Sequence, residues 1–282
     1  MFGSHLSIAG GMHHALLKAE ALGCETVQVF TANQQQWAPK PPDQAGIDRW
    51  RAELHRLGYR EVVSHASYLI NLASPDELVR RKSVNAFVEE VRRCHALSIP
   101  LVVIHPGAHL RIGEARGLSR VVRSLNETIS RTARCDVTIC LESTAGQGTS
   151  LGWKLEHLRD LVADVRVADR LGVCLDTAHL FAAGYDFRGR KYDAFRERLS
   201  ATVGLRQVKA WHLNDSKKDL GSRVDRHEHI GRGTIGLAGF RPIVNDPAWS
   251  RVPKILETEK GVGPDGRDWD AINLEVLRGL LE

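Results

Sequence analysis

Short apolar or β-branched runs recur along the chain, at about 2–6 (FGSHL), 26–30 (TVQVF), 61–64 (EVVS), 101–104 (LVVI), 137–141 (VTICL), 172–175 (GVCL), 207–211 (QVKAW) and 254–256 (KIL). Their length suits strands, and their richness in Val, Ile and Leu suits strands covered on both faces. Between them the apolar spacing changes to three and four. In "SPDELVRRKSVNAFVEEVRRCHALSI" Ser74 can cap a helix, Pro75 suits its first turn, and Leu78, Val79, Phe87, Val91 and Leu97 recur on one side. Further amphipathic stretches occupy about 11–22, 46–58, 117–133, 154–163, 191–203 and 268–281. Eight strands alternating with helices predict an α/β fold, a single (β/α)₈ TIM barrel over residues 1–282. A doubly wound sheet would need fewer strands or a second domain, and no linker or composition shift divides the chain.

Composition refines this picture modestly. Hydrophobic residues at 43% and charged residues at 26% are ordinary for a globular chain and exclude wholesale disorder. No apolar run reaches membrane-spanning length and no basic leader precedes an apolar segment, so a soluble, cytoplasmic protein is expected. The five cysteines are odd in number, lack a C-x-x-C pair and sit mostly in apolar stretches, as core residues in a reducing compartment would. A net charge of +5 mildly favours a polyanionic partner.

In such a barrel, catalytic groups come from the C-terminal ends of the strands. Those ends read His65 in "VVSHAS", His105 in "VVIHPGAH", Glu142 in "ICLESTAGQG", Asp176 and His179 in "GVCLDTAHLFAAGYD", His212 in "AWHLNDS" and Glu257 in "KILETEK". The loop after strand seven adds Asp225 and His227 in "RVDRHEH". Taken singly, each has an ordinary explanation. A histidine after a strand is usually a polar rim residue, Glu142 could hold a loop, Asp176 could cap the next helix, and Asp225 with His227 could form a solvated turn. Their coincidence is the argument, because carboxylates and imidazoles crowded into one cleft repel or desolvate unless a cation compensates. The nitrogen and oxygen mixture suits zinc, manganese or iron better than magnesium or calcium. At about three protein ligands per ion the set serves two or three ions, with Asp176 and His179 on different ones. Closely spaced ions suit in-line displacement at phosphorus.

At this point the segments "GVCLDTAHLFAAGYD", "HLNDSKKDLGSRVDRHEHIGRGTIG", "ESTAGQGTSLG", "IHPGAH" and "SHASYLINLASP" together resemble the endonuclease IV family of apurinic/apyrimidinic endonucleases, from "GSHLSIAGGM" to "ILETEKG". The resemblance implies a DNA-repair enzyme that holds three Zn²⁺, or Mn²⁺ or Fe²⁺ at some positions. It would cut double-stranded DNA 5′ to an abasic site, leaving a 3′-hydroxyl and a 5′-deoxyribose phosphate, trim 3′-blocked ends, and act as a monomer without a membrane partner. It places His65 and His105 on the first ion, Glu142 between first and second, Asp176, His212 and Glu257 on the second, and His179, Asp225 and His227 on the third. Glu142, Asp176 and Glu257 are the implied catalytic carboxylates. The loops "TANQQQW" and "SYLINL" put Gln35, Tyr68 and Leu69 forward as residues entering the DNA minor groove.

Three positions depart from the family pattern: Gln35 where arginine is frequent, Ser143 where asparagine is common, and Ala178 where cysteine is common. The glycines of "TAGQGTSLG" lack the Lys-Ser/Thr ending of a P-loop and suit a tight loop beside the metals. His5 and His109 fall on rim segments, His13, His14, His55, His95 and His157 in helical stretches as surface residues, and His229 outside the ligand pattern. The segment 261–270 reads as a loop before the last helix. The rivals are a divalent-metal sugar isomerase or epimerase of the related barrel class, and a catalytically silent DNA-damage binder. The first needs a proton-transfer group free of metal in a closed pocket, and the second is expected to have lost a ligand.

Overall fold

The computed structural model describes residues 1–282. Strands run Phe2–His5 (β1), Thr26–Val29 (β2), Val63–His65 (β3), Leu101–Ile104 (β4), Thr138–Glu142 (β5), Leu171–Asp176 (β6), Val208–His212 (β7), Asp215–Ser216 (β8), His227–Glu228 (β9) and Lys254–Leu256 (β10). Eight of them close a parallel barrel in the order β1-β10-β7-β6-β5-β4-β3-β2, while β8 and β9 pair antiparallel above it. The helices are His13–Ala21 (α1), Gln44–Leu57 (α2), Glu77–Ala96 (α3), Glu114–Arg131 (α4), Leu155–Asp164 (α5), Thr177–Ala183 (α6), Tyr192–Thr202 (α7), Leu237–Asn245 (α8) and Trp269–Arg278 (α9). None is long and apolar enough to cross a membrane.

Strand residues alternate faces, and the alternation builds two cores. Outward positions such as Val27, Val29, Val102 and Ile139 join the helices in the large shell. Inward positions Val63, Leu101, Val103, Cys140, Cys174, Ala210 and Ile255 form a small separate plug. Two residues beyond plug members stand His65, His105, Glu142, Asp176, His212 and Glu257. One pleat up from a dry layer, the same inward face therefore becomes polar. The small side chains of Cys140, Cys174 and Ala210 let that layer fill the narrow barrel without displacing what lies above. All five cysteines are free.

Several local expectations change. Asp76, not Ser74, caps α3, accepting from the amides of Leu78 and Val79. Phe87, Val91 and Leu97 are buried as expected, joined by Val84, Val88 and Cys94, whereas Leu78, nine residues and so half a turn from Phe87, faces solvent at 72% exposed. Two helices escape the periodicity. The seven-residue α6 is buried almost all round, so it carries no amphipathic stripe, and α8 contains Pro242, which reads as a breaker. His157, expected at the surface, is buried, its Nδ1 accepting from the Gly152 amide and its Nε2 facing Glu114.

Candidate metal centre

The polar layer places eight side chains in three overlapping groups, with Asp225 as a ninth beside them. His65, His105 and Glu142 form one, Glu142, Asp176, His212 and Glu257 a second, and Asp176, His179 and His227 a third, with donor atoms in each group within 4.8 Å of one another. Asp225 adjoins the third, its carboxylate oxygens 3.1 Å from His179 Nε2 and 3.2 Å from His227 Nε2. Asp176 thus stands between the second and third groups, whereas the family resemblance assigns it to the second alone.

Position in the chain explains the convergence. Asp176 ends β6 and caps α6, its Oδ1 accepting from the His179 amide at 2.8 Å. Capping and a place in the polar layer are therefore both true of one residue, and the cap aims His179 back over the barrel. Gly184, at φ 103°, then ends α6 in a left-handed conformation. The excursion after β7 is organised by buried Asp215, which accepts backbone N–H groups from Ser216, Gly231, Ile235 and Gly236. A side chain at Gly233 would lie 2.4 Å from the Asp215 carboxylate, so the loop closes only around glycine there.

Four histidines have one ring nitrogen committed to a neighbour, which frees the other. His65 Nδ1 donates to the Ala66 carbonyl at 2.8 Å, leaving Nε2 facing Glu142 at 2.9 Å. His179 Nδ1 donates to the Ser143 carbonyl at 2.8 Å, leaving Nε2 toward Asp225. His227 Nδ1 donates to the Glu257 carbonyl at 3.3 Å, and its buried Nε2 lies 3.2 Å from Asp225 Oδ1 without an aligned hydrogen bond. His212 is the mirror case, with Nε2 donating to Gln28 Oε1 and Nδ1 3.0 Å from both Glu142 and Glu257. Metal-ligating imidazoles are oriented in this way.

Supporting residues that the sequence did not single out complete the centre. Gln28 hydrogen-bonds Glu257 Oε1 at 2.5 Å and His5 Nδ1 at 2.9 Å. Asn214 donates to Asp176 Oδ2 at 2.6 Å and accepts from the Glu257 amide at 2.8 Å, tying β6 to β10. Ser143, one of the departures, accepts from the Asp176 amide through its hydroxyl, and its backbone carbonyl holds His179. In the sequence Gln28 is a lone amide in the apolar run TVQVF, which carries no ligand signal.

The electrostatics are those of a site built for positive charge. Burial would raise the Glu142 carboxyl, yet His105 and His212 outweigh it and hold it well below the usual range. Glu257 is likewise held low, chiefly by His212 against its own burial. Burial favours neutral His179, but Asp176, Asp225 and Glu142 hold it well above its ordinary value. For His227 burial is again outweighed, by Asp176 and Asp225, and its proton is kept up to about 9. Without a cation the imidazoles take up protons to balance the carboxylates; divalent ions supply that charge directly. The donor set, with His227 Nε2 facing Asp225 but not aligned to it, fits such ions.

The remaining residues separate cleanly. Gln35 and Tyr68 are exposed, Tyr68 by 68%, and Leu69 is half-buried beside it. Their loops are joined by Ser67, whose hydroxyl donates to the Gln34 carbonyl at 2.9 Å. They stand on the rim outside the polar layer. His109 stays in its own loop, accepting from the Gly113 amide, and His229 stacks on Trp269 at 3.7 Å, away from the nine.

Comparison with known proteins agrees with this geometry. A family profile described as xylose isomerase-like TIM barrel matches residues 16–280. The chain is 47% identical over 281 residues, covering 99% of itself and 97% of its relative, to a probable endonuclease 4 of Chloroflexus aggregans. It superposes on endonuclease IV from Thermus thermophilus with TM-score 0.86 and 35% identity, over 99% of this chain and 98% of that one. A D-tagatose 3-epimerase-like protein shares the fold alone, with TM-score 0.74 and 20% identity over 99% of this chain and 96% of that one.

Proposed function

Because the chain belongs to the endonuclease IV family within the xylose isomerase-like TIM barrels, we propose that it hydrolyses the phosphodiester 5′ to an abasic site in double-stranded DNA. It is a metal-dependent nuclease, and the observation that carries the fuller reading is the convergence of three donor groups through shared Glu142 and Asp176. Three ions, zinc first among the candidates, are assigned to these groups, with manganese or iron as alternatives at individual positions. Bound there, they supply a polarised water and neutralise charge on the entering and departing oxygens.

The protein's own part is placement. Glu142, Asp176 and His212 are fully buried, whereas the side chains of His105 and Asp225 are 41% and 42% exposed. The phosphodiester accordingly approaches across the His105–Asp225 edge, over a floor formed by the second group. Glu142 and Asp176 hold neighbouring groups in register, while Asn214 and Gln28 keep the carboxylates from swinging. Tyr68, Leu69 and Gln35, on the rim loops after β2 and β3, are assigned to filling the gap left by the missing base, a reading supported by the exposure of Tyr68 and Gln35. The same geometry accepts a 3′-blocked terminus, since only the phosphate and the sugar beyond it need to enter. A sugar-isomerising reading leaves the third group without a task.

The test is incision of a labelled duplex carrying one abasic analogue that cannot undergo β-elimination, against an intact duplex and an Asp176→Ala control. Cleavage immediately 5′ to the lesion, leaving an extendable 3′-hydroxyl and lost in the control, is expected. Absence of incision by metal-replete protein would overturn the assignment, and lesion binding without cleavage would identify a silent binder.

A further inference from the structure

Asp225 is delivered to the centre by the excursion between β8 and β9, and it needs a support of its own. One is visible. Gln147, an exposed residue of the loop after β5, accepts a hydrogen bond from the Asp225 amide through Oε1 at 3.0 Å. Two residues before Asp225, the Arg223 guanidinium lies over the Trp153 ring, 3.7 Å from its centroid. Trp153 is fixed in turn, its Nε1 donating to Glu114 Oε1 at 3.1 Å, and the same carboxylate takes Lys154 at 2.7 Å. Gly146 closes the support from below, at φ 75°, where a side-chain carbon would lie 2.9 Å from the indole.

The backbone makes the same connection. Gly221 and Arg223 donate their amides to the carbonyls of Phe181 and Ala182 at the end of α6, the helix that begins with the Asp176 cap and carries His179. Arg223 does so at φ 54°, a left-handed conformation that an arginine holds only where its surroundings compensate. Stacking on Trp153 and the two amide bonds are that compensation. The β5 loop therefore holds the excursion at Asp225 and at Arg223, and the end of α6 holds it at Gly221 and Arg223, while none of these bonds is made to a side chain of the first or second donor group.

We propose that Gln147, Trp153 and Arg223 form a latch that holds the Asp225 main chain and thereby sets how tightly the His179–Asp225–His227 group keeps its cation, independently of the other two groups. They are positioning residues, acting through Asp225. The inference rests on the reading that this group binds a cation. Arginine over indole suits the task because the planar guanidinium keeps its stacking while remaining hydrated at the surface.

The test compares wild type, Gln147→Ala, Gln147→Glu and Arg223→Ala, each loaded with zinc, dialysed against a weak chelator and assayed for bound metal. Thermal unfolding of the chelated proteins and kcat and KM for abasic-site incision are measured in parallel. Wild type is expected to keep three equivalents, and the two alanine variants two, with the third bound about 10- to 100-fold more weakly. Gln147→Glu, whose carboxylate can accept the same N–H, should restore the third. Gln147→Ala should leave the unfolding of the chelated protein unchanged, because Gln147 is exposed. Full, tight metal content in both alanine variants overturns the latch, as does full content with only a raised KM, which would make Gln147 a DNA contact. Fewer than three equivalents in wild type overturns the third-ion reading itself and the latch with it.

Discussion

Gln28 accepts a hydrogen bond from Nε2 of His212 at 2.8 Å, and in doing so decides which nitrogen of that imidazole faces the carboxylates. The amide cannot be reversed without loss, because its Nε2 donates to Glu257 Oε1 and to His5 Nδ1. Replacing Gln28 with methionine keeps the volume and removes both functions. The expected result is a metal affinity in the second group about 10- to 100-fold weaker. Competition with a chromophoric chelator reads it directly, and unchanged affinity would show that Glu142 and Glu257 orient His212 unaided.

The dry plug beneath the polar layer gives a second prediction. Ala210 is fully buried, inward-facing and two residues before His212. Ala210→Leu enlarges a side chain in a closed layer, so the strand must shift or the neighbours leave their rotamers. A loss of about 1–3 kcal/mol in urea unfolding of the chelated protein is expected. Metal affinity should fall with it, because the strand that shifts carries His212. Loss of stability with native metal affinity would mean that the two layers are mechanically separate.

Acid–base behaviour follows from the third group. In the metal-free chain His227 keeps its proton to about 9, above the 6.5 of an unperturbed imidazole. The folded state therefore binds more protons than the unfolded one between these values. The stability this contributes is complete below about pH 6.5 and is lost as pH rises toward 9. Raised values for His65, His179 and His212 act in the same sense. Lys254 opposes them only later, since burial brings it down to about 8 from 10.5 and stability grows above that pH. Calorimetry from about pH 6.5 to 8 should thus show the melting temperature of the chelated protein falling, and the stabilisation by added zinc growing as protons stop competing. A chelated melting temperature that rises over this interval would contradict the assignment.

How much of this was legible beforehand depends on the kind of signal. The barrel strands are marked by apolar runs, and six of the nine converging residues by standing at or just past the ends of those runs, a pattern that survives loss of context. What the sequence could not display were pairings across the barrel. Gln28 and Asn214 matter only because β1, β7 and β10 bring His5, His212 and Glu257 beside them. Helix α6 is hidden because a helix buried on nearly all sides has no stripe, and Leu78 is misplaced because nine residues separate it from buried Phe87, which puts the two on opposite sides of the helix. In the sequence alone capping and a place in the polar layer compete as readings of Asp176, whereas in the structure Oδ1 caps α6 and Oδ2 accepts from Asn214 within that layer.

The rim loops supply the last prediction. Tyr68 is 68% exposed, so Tyr68→Ala should change stability by no more than about 0.5 kcal/mol. If the ring fills the space of the missing base, binding of abasic duplex should weaken by about 1–3 kcal/mol, the usual range for a lost base–aromatic stack. Gln35 tests the neighbouring loop in the opposite direction. It is exposed, and its backbone amide donates a hydrogen bond to Asn33 Oδ1 at 2.9 Å, which shapes the turn without using the Gln35 side chain. Gln35→Arg therefore adds a cation at the rim while leaving the loop intact. If that loop meets the duplex, one further phosphate contact should steepen the dependence of log affinity on log salt by about 0.9 and tighten binding most at low salt. An unchanged slope, with Tyr68→Ala still weakening binding, would confine DNA recognition to the β3 loop and leave the β2 loop to its structural bond with Ser67.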